Sequence, residues 1–461
     1  MIEYRGFPEV YEDSINEGDL TVFMARDDSG DFLVFIEKGE TRKVPLNHES
    51  AEILRKLFPF TRPSRVLGKE RSFGTGDRLG IATPGHAKLF KKYDAYPVFA
   101  QQSMRELNLT NRSYSDVLDA ASFAVFREGF KKEWGADGDH LKKAEDIRDA
   151  LSLGYTMITL DCSEHIKNDI TESNAPPLPQ HYVDKYLGKK FDAGEGLVLS
   201  FNEDELRKTA AIYGEAISFA AGIFKEFFDD GKYDADFEIS IDETLTPTTP
   251  LQHFFTAKEL IDAGVALNTL APRFCGDFQK GIDYIGDIKQ FESEIKAHAI
   301  IARHFGYKLS IHSGSDKFAV FPLIAQATGG SFHVKTAGTN WLEAMRVIAA
   351  KDPALYREVH KYALASFEEA CKYYTVSCDL SKIRDIDTLK DEELPGLFDL
   401  DDSRQLTHIT YGLILSKRNE TASSSYRDRL YRVLRENSEE YALALEKHIG
   451  RHLDLLGVKK L

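Results

Sequence analysis

The sequence predicts an α/β protein built on a (β/α)8 TIM-like barrel, with long βα insertions and a small α+β domain at the N-terminus. Eight short apolar segments within residues 71–461 have the composition of buried parallel strands. Helix-like stretches lie between several of these segments, and polar residues follow most of them, as in barrel enzymes. A doubly wound sheet is the alternative, but no glycine-rich phosphate fingerprint follows the first predicted strand.

The first 70 residues differ from the rest of the chain. Two β-rich runs, Leu20–Met24 and Phe32–Ile36, flank a turn that contains glycine, which is typical of a hairpin. A short helix is predicted from Ser50 to Leu57. We therefore predict an α+β domain over residues 1–70 and a catalytic barrel over residues 71–461.

The barrel prediction depends on eight candidate strands and on the helices between them. The candidate strands are Arg78–Thr83, Pro97–Gln102, Tyr155–Leu160, Phe237–Ile241, Val265–Leu270, Lys308–Ile311, Phe332–Lys335 and Gln405–Tyr411. Apolar residues recur on one face of the stretch from Ile288 to Phe305, which predicts an amphipathic helix. Residues 162–236 form a long insertion that we expect to act as a lid, and amphipathic helices are predicted from Tyr426 to Leu456.

Charge and composition argue against several classes of partner. The formal net charge of -15 disfavours general binding to nucleic acid or to an anionic membrane, although a pocket can still be locally basic. No apolar run approaches the ~18 residues of a membrane span, and the first residues lack a signal peptide's basic and apolar segments. Four scattered cysteines suggest reduced thiols, so we predict a cytoplasmic protein.

Three histidines follow predicted strands and could share one rim of the barrel. His312 and His333 lie at or near the ends of two neighbouring strands, and His165 follows a third. Three neutral imidazoles with open positions form a catalytic site for zinc or a similar divalent ion. The alternative is that each histidine is an ordinary residue of the core or the rim.

Two carboxylates at strand ends are candidates for acid/base catalysis. Asp161 and Glu243 would lie near the proposed cation, where a partly desolvated carboxyl group can hold or release a proton. The alternatives are that Asp161 orients a histidine and that Glu243 caps a helix or forms a rim ion pair. Asp242 is expected to point to the other face of its strand, unless the strand has already ended.

Several further residues at the predicted rim are candidates for binding substrate. Arg273, Lys317 and Lys335 could hold an anionic group, although charged rim residues are more often structural. His86 and Gln102 follow the first two predicted strands and complete this set.

Several motifs together resemble the tagaturonate/fructuronate epimerase family. They are Phe73–Gly80, Ala82–His86, Thr159–His165, Ser310–Lys317, His333–Thr339, Arg404–Leu406 and His408–Gly412. The resemblance covers nearly the whole chain and implies interconversion of D-tagaturonate and D-fructuronate with a divalent metal such as zinc, manganese or nickel. It also implies that His165, His312 and His333 bind the metal, and that Asp161 and Glu243 are the acid/base pair. The expected partner is a small anionic sugar acid, and the number of subunits stays open.

The chemistry of these sugar acids restricts the mechanism. The two ketouronates differ at the hydroxyl-bearing carbon β to the ketone, whose C–H bond neither carbonyl acidifies. Transient oxidation would require a nicotinamide, for which the sequence has no fingerprint, so none is expected. Retro-aldol cleavage, rotation and re-addition is the other route. Two alternative functions remain at this stage: a metal-dependent class II-type aldolase, and a non-catalytic sugar-acid binding protein.

Overall fold

The computed structural model describes residues 6–417 and 424–461. The chain first forms an antiparallel sheet with strands β1 (Glu9–Val10), β2 (Leu20–Asp27), β3 (Gly30–Glu37) and β4 (Glu40–Pro45), followed by helix α1 (His48–Leu57). β2 and β3 form the predicted hairpin, in which Asp27 pairs with Gly30. Gly30 has a φ of 113°, a backbone conformation that glycine adopts without steric cost.

A closed parallel barrel follows. The next strands are β5 (Arg71–Gly74), β6 (Tyr96–Ser103), β7 (Gly135–Leu141), β8 (Met157–Asp161), β9 (Phe191–Asp192), β10 (Val198–Leu199), β11 (Asp236–Ile241), β12 (Thr269–Pro272), β13 (Lys308–Ile311) and β14 (Phe332–Lys335). β9 and β10 pair with each other, and the other eight close in the order β5-β6-β7-β8-β11-β12-β13-β14, with β14 returning to β5. The (β/α)8 prediction is confirmed.

Helices surround the barrel and extend beyond it. Those after α1 are α2 (Thr83–Phe90), α3 (Met104–Thr110), α4 (Tyr114–Arg127), α5 (Ala144–Ser152), α6 (Gln180–Tyr186), α7 (Glu203–Phe227), α8 (Pro250–Asp262), α9 (Ile288–Phe305), α10 (Phe321–Thr328), α11 (Thr339–Lys351), α12 (Pro353–Ala365), α13 (Phe367–Ala370), α14 (Asp401–Ile409), α15 (Tyr411–Ser416), α16 (Tyr426–Glu436) and α17 (Ser438–Leu455). Short 3-10 helices span Glu12–Ser14, Pro59–Thr61, Ser163–His165, Leu380–Lys382, Ile386–Thr388 and Asp391–Asp399. α11 to α17 share an apolar core around Trp341, Tyr356 and Phe398.

The helix predicted from Ile288 to Phe305 is α9, with those same bounds. The Asp287 side chain accepts hydrogen bonds from the first turn, and Gly306 ends the helix in the left-handed conformation. Phe291 and Ile295 on its apolar stripe are fully buried in the main core, whereas Ile288 at the first position is exposed.

The barrel strands bury both of their faces, but the two faces differ in chemistry. Outward side chains such as Ile239 and Val334 pack in the apolar core beneath the helices. The inward side chains of β8, β11 and β14 include Thr159, Glu238 and Lys335, which contact one another across the barrel. The interior therefore carries charge at the level where the strands end.

Two predicted strands are wrong, and two barrel strands, β5 and β7, lie outside every predicted strand. Residues 78–83 form a loop and the start of α2, while β5 lies earlier, at Arg71–Gly74. Residues 405–411 belong to α14 and α15. β7 has the sequence Gly-Ala-Asp-Gly-Asp-His-Leu, and its charged inward positions hide it from a search for apolar runs. The predicted division of the chain at residue 70 stays a prediction.

Candidate active site

A cavity of about 870 Å³ lies at the carboxyl ends of the barrel strands. The residues that line it at or just after strand ends include Ser103, His140, Asp161, Asp242, His312 and Lys335. Its walls include residues from the segment 273–280, which follows β12, and residues 373–375, which follow α13. From the insertion at 162–236, which we expected to act as a lid, only Glu164 lines this cavity.

His140 reaches the cavity through an irregularity in β7. The pairing of β7 with β8 shifts register between Gly138 and Leu141, and His140 has a φ of 54°. Residues other than glycine rarely adopt such a conformation, and bulges beside active sites often redirect a side chain. The His140 ring centroid lies 4.9 Å from that of His312.

His140, Asp242 and His312 form the cluster best suited to hold a metal ion. One ligand atom from each residue lies within 4.8 Å of the others. The His312 Nδ1 atom is buried and makes no hydrogen bond within the described part of the chain, although Asp242 Oδ2 lies 3.3 Å away. Two imidazoles and a carboxylate match the preferences of zinc, nickel and manganese. The residues present therefore fit a divalent cation.

Carboxylates behind this cluster orient both rings. The His312 Nε2–H donates to Glu238 Oε1 at 2.8 Å, which leaves Nδ1 free to bind an ion. The His140 Nδ1–H donates to Asp139 Oδ1 at 2.8 Å, which leaves Nε2 free. Hydrogen bonds of this kind fix the tautomer and the orientation of metal-binding histidines.

Lys335 forms ion pairs with three acids inside the barrel. Its Nζ atom lies 2.6 Å from Asp137 Oδ2 and 3.3 Å from Glu238 Oε1, and it also forms an ion pair with Asp139. A fourth contact joins the Nζ atom to Thr159 Oγ1 at 2.6 Å. The Lys335 side chain is 4% exposed, so these charges interact with little solvent screening.

Burial and neighbouring charges act in opposite directions on the pKa values of these groups. Burial raises the pKa of Asp137 to about 6, even though Lys335 favours the ionised form. Burial would also raise the pKa of Glu238, but Lys335 and His312 hold it well below its usual value. Burial alone would lower the pKa of His140, yet Asp139 raises it to about 10. An ion binding at His140 therefore has to displace a proton.

A second cluster, formed by Asp316, His448 and His452, is already satisfied by protein groups. Asp316 accepts hydrogen bonds from Arg404 Nη2 and from His448 Nε2, both at 2.5 Å. The Nε2 atom of His452 accepts the Asp316 backbone N–H at 3.0 Å. We interpret this cluster as an ion-pair network that holds α17 against the loop after β13.

The cavity brings together five of the residues singled out from the sequence: Asp161, Glu243, Arg273, His312 and Lys335. Asp161 is buried; its Oδ1 atom accepts the Ser163 backbone N–H at 2.8 Å, and its Oδ2 atom lies 3.6 Å from Lys142 Nζ. Glu243 is exposed at the mouth. The pair therefore offers one desolvated and one hydrated carboxylate.

The structure does not bring His165 or His333 into the cluster of His140, Asp242 and His312. The short helix after β8 turns His165 towards α7, where its ring stacks on Phe219 at 4.1 Å between centroids. The His165 Nδ1 atom lies 3.3 Å from Glu215. His333 lies deeper in the barrel, where its Nδ1 atom is 2.9 Å from Ser72 Oγ and burial lowers its pKa to about 3.

Three residues predicted to bind substrate lie outside the lining of the cavity. His86 is fully buried in α2. Gln102 is also buried, and its amide donates to the Gln101 backbone carbonyl at 2.8 Å. Lys317 Nζ donates to three backbone carbonyls, those of Gln279, Ile282 and Ser315. These contacts use all three of its N–H groups.

The sequence reasoning missed residues that the structure places in the site. His140 and Asp139 lie on the unrecognised β7, and their signal was the alternation of acids in Asp137-Gly138-Asp139-His140. Asp242 was set aside on the assumption that the strand continued, but β11 ends at Ile241.

A closed parallel barrel with a polar cavity at the carboxyl ends of its strands defines a (β/α)8-barrel enzyme. The comparison with known families is more specific. The model of the tagaturonate epimerase family, UxaE, matches residues 11–456. The chain belongs to this family of epimerases, as its motifs suggested. Among the described residues, no helix combines the length and apolarity needed to cross a membrane.

Individual relatives are similar over nearly their full length. The chain is 45% identical over 478 residues to a tagaturonate/fructuronate epimerase of Thermotoga maritima, covering 98% of this chain and 97% of that protein. The crystal structures of fructuronate-tagaturonate epimerase UxaE from Cohnella laeviribosi include a native form and complexes with glycerol. The native form superimposes with a TM-score of 0.95 at 49% identity, covering 98% of this chain and 97% of that one.

Proposed function

We propose that this protein interconverts D-tagaturonate and D-fructuronate, with a divalent cation held by His140, Asp242 and His312. The names of its relatives support the substrates. The observation that carries the metal proposal is the convergence of three ligand atoms within 4.8 Å at the cavity, each from a different strand end. The chemistry of the donor set favours zinc, manganese, nickel or a similar ion.

The proposed reaction proceeds by retro-aldol cleavage. A base takes the proton of the hydroxyl on the epimeric carbon, and the bond from that carbon to the carbon beside the ketone breaks. The electron pair passes to the ketone-bearing fragment as an enediolate, while the other fragment becomes an aldehyde. The aldehyde rotates, presents its opposite face, and re-addition with return of the proton gives the epimer.

Each group of the site has a proposed task in this sequence. A cation bound by the cluster supplies electrostatic stabilisation of negative charge on the ketone oxygen. Asp161 and Glu243 exchange protons with the hydroxyl from opposite sides, because the new face of the aldehyde requires a second acid/base group. The carboxylates Glu238 and Asp139 hold the two histidines in position. No nicotinamide takes part in this route, and the cytoplasmic location stays a prediction.

Two measurements test the proposal. Turnover of tagaturonate in D2O, followed by NMR, should leave hydrogen on the epimeric carbon, because the aldehyde retains it. Deuterium at that carbon would contradict retro-aldol cleavage and indicate direct deprotonation. Added NAD should not change the rate. Accumulation of three-carbon products instead of the epimer would indicate an aldolase.

The ligand set is tested by metal content and activity together. His312→Ala and Asp242→Asn should lose stoichiometric metal and most of the epimerase activity. His165→Ala is the matched control and should retain metal, since the His165 ring packs on Phe219. Retention of full metal and activity by both cluster variants, or metal loss in His165→Ala, would overturn this assignment.

A further inference from the structure

Lys280 is a cation in the wall of the cavity that forms no ion pair with any described residue. Three other basic side chains that line the cavity form ion pairs: Arg78 with Glu106, Lys142 with Asp161 and Glu164, and Lys335 with three acids. Among the described residues, the lining side chains of Arg105, Lys143 and Arg273 form none, but Lys280 also has a hydrogen bond next to the proposed metal cluster. In the part of the chain that the structure describes, no carboxylate oxygen lies within 4.0 Å of Lys280 Nζ. That atom instead donates to Ser313 Oγ at 2.9 Å.

The position of Lys280 ties it to the proposed metal site. Ser313, its hydrogen-bond acceptor, directly follows His312 and has a φ of 50°. Such strained conformations cluster at functional sites, where the surrounding structure holds them in place. Lys280 is partly buried, and a charge removed from water without a counter-charge is unfavourable unless a ligand provides one. The Lys280 ammonium, which has no counter-charge among the described residues, therefore indicates that the cavity binds an anion.

His408 provides a second, independent observation. Its side chain lines the same cavity and the residue is 1% exposed, yet neither ring nitrogen has a hydrogen-bond partner in the described chain. Two glycines make room for the ring: a Cβ atom on Gly338 would lie 1.8 Å from His408 Nε2, and one on Gly281 would lie 3.3 Å from its Cδ2. Because buried polar groups are normally satisfied, the ring requires a partner that the chain itself does not supply.

We propose that Lys280 and His408 bind the carboxylate of the substrate, with Ser313 holding the Lys280 ammonium in place. This assignment rests on the proposed function, since it names the site for the anionic end of the ketouronate. It orients the substrate, because the carboxylate lies at the Lys280 wall and the ketone lies towards His140 and His312. Lys280 thereby determines specificity for sugar acids over neutral sugars.

The first test compares an acid with its neutral counterpart. Lys280→Met should lower kcat/KM for tagaturonate roughly 10- to 150-fold, the range expected for loss of one charged hydrogen bond. Turnover of tagatose, which carries a hydroxymethyl group in place of the carboxylate, should change less than about threefold, because no charged contact is lost. Lys280→Arg should recover part of the activity on the acid. The control is Lys143→Met, which removes one positive charge from an exposed position at the mouth of the cavity.

The second test does not depend on turnover. Titration calorimetry should show that wild-type protein binds galactonate more tightly than galactitol, and that Lys280→Met abolishes this difference. Should the wild type fail to epimerise tagaturonate, the proposed function fails, while calorimetry still decides on the anion site. An equal loss for acid and neutral ligands in Lys280→Met, or discrimination lost in Arg273→Met but kept in Lys280→Met, would overturn the assignment.

Discussion

Replacement of Lys335 by methionine removes a cation that contacts all three of Asp137, Asp139 and Glu238 inside the barrel. Methionine has a similar length, so the change leaves the packing volume nearly intact and isolates the effect of charge. Asp137 and Glu238 have fully buried side chains, and that of Asp139 is 8% exposed. The variant therefore leaves three carboxylates close together and away from water.

The expected loss follows from the cost of removing one member of a buried ion pair, about 3–5 kcal/mol. Proton uptake limits this cost, since the pKa of Asp137 is already about 6 in the presence of Lys335. Without Lys335 the folded variant binds protons more readily than the unfolded chain, so its stability falls as pH rises. We expect a loss of about 3–5 kcal/mol at pH 8 that becomes smaller towards pH 6.

Guanidinium unfolding followed by circular dichroism measures this difference, with chelator present so that bound metal does not contribute to the free energy of unfolding. Lys308→Met is the matched control. Lys308 Nζ donates to the Lys69 backbone carbonyl and to Ser72 Oγ, with no carboxylate within 4.0 Å in the described chain. A free energy of unfolding for Lys335→Met within about 1 kcal/mol of wild type at pH 8, or an equal loss in Lys308→Met, would rule out a buried charge effect.

Three further predictions address the site and its surroundings. Glu238→Gln should weaken metal binding about 10- to 100-fold in a metal titration, because it disturbs the orientation of His312; an unchanged Kd would contradict this. Gly338→Ala should raise KM for tagaturonate roughly fivefold by displacing the His408 ring, and it should also lower Tm because the ring is buried; an unchanged KM would exclude this contact. Burial lowers the pKa of Lys308 to about 7, so wild-type stability should rise relative to Lys308→Met between pH 7 and 10 in denaturant unfolding; a flat difference would contradict the shift.

The barrel strands that the sequence predicts correctly are those whose buried outward side chains are apolar. β13 and β14 have the predicted bounds because their outward residues, such as Ile311 and Val334, pack beneath the helices. β7 could not be found in this way, since its inward positions hold Asp137 and Asp139. Their neutralisation depends on Lys335, almost two hundred positions away and outside any local pattern.

At residues 405–411, by contrast, the sequence predicts a strand where the structure has helices. Their mixture of threonine, isoleucine and tyrosine favours a strand, but these residues lie in α14 and α15. All seven residues are buried, including polar ones such as Gln405 and His408, so no exposed polar face marks the segment as a helix. Packing among helices α11 to α17 therefore overrides the strand propensity of residues 405–411.

The candidate site was predicted in part because strand ends converge in any barrel. That rule places His312, Asp161 and Glu243 in the cavity. It does not specify how far along or beyond a strand a residue can lie, and so it misplaced two histidines. His333 is two residues before Lys335 and lies deeper in the barrel, while His165 is turned away by a short helix.

The pairing of β14 with β5 has a consequence for how the protein folds. The side chains of Ser72 and His333 hydrogen-bond across 261 positions of the chain, so the last seam of the barrel forms between distant segments. Before the seam forms, Asp137, Glu238 and Lys335 are hydrated and separate. Closure must remove water from these charged groups before the attraction between them offsets the cost of desolvation. Closure of the barrel is therefore expected to be a late, slow step whose rate depends on salt, and the catalytic cavity does not exist until it is complete.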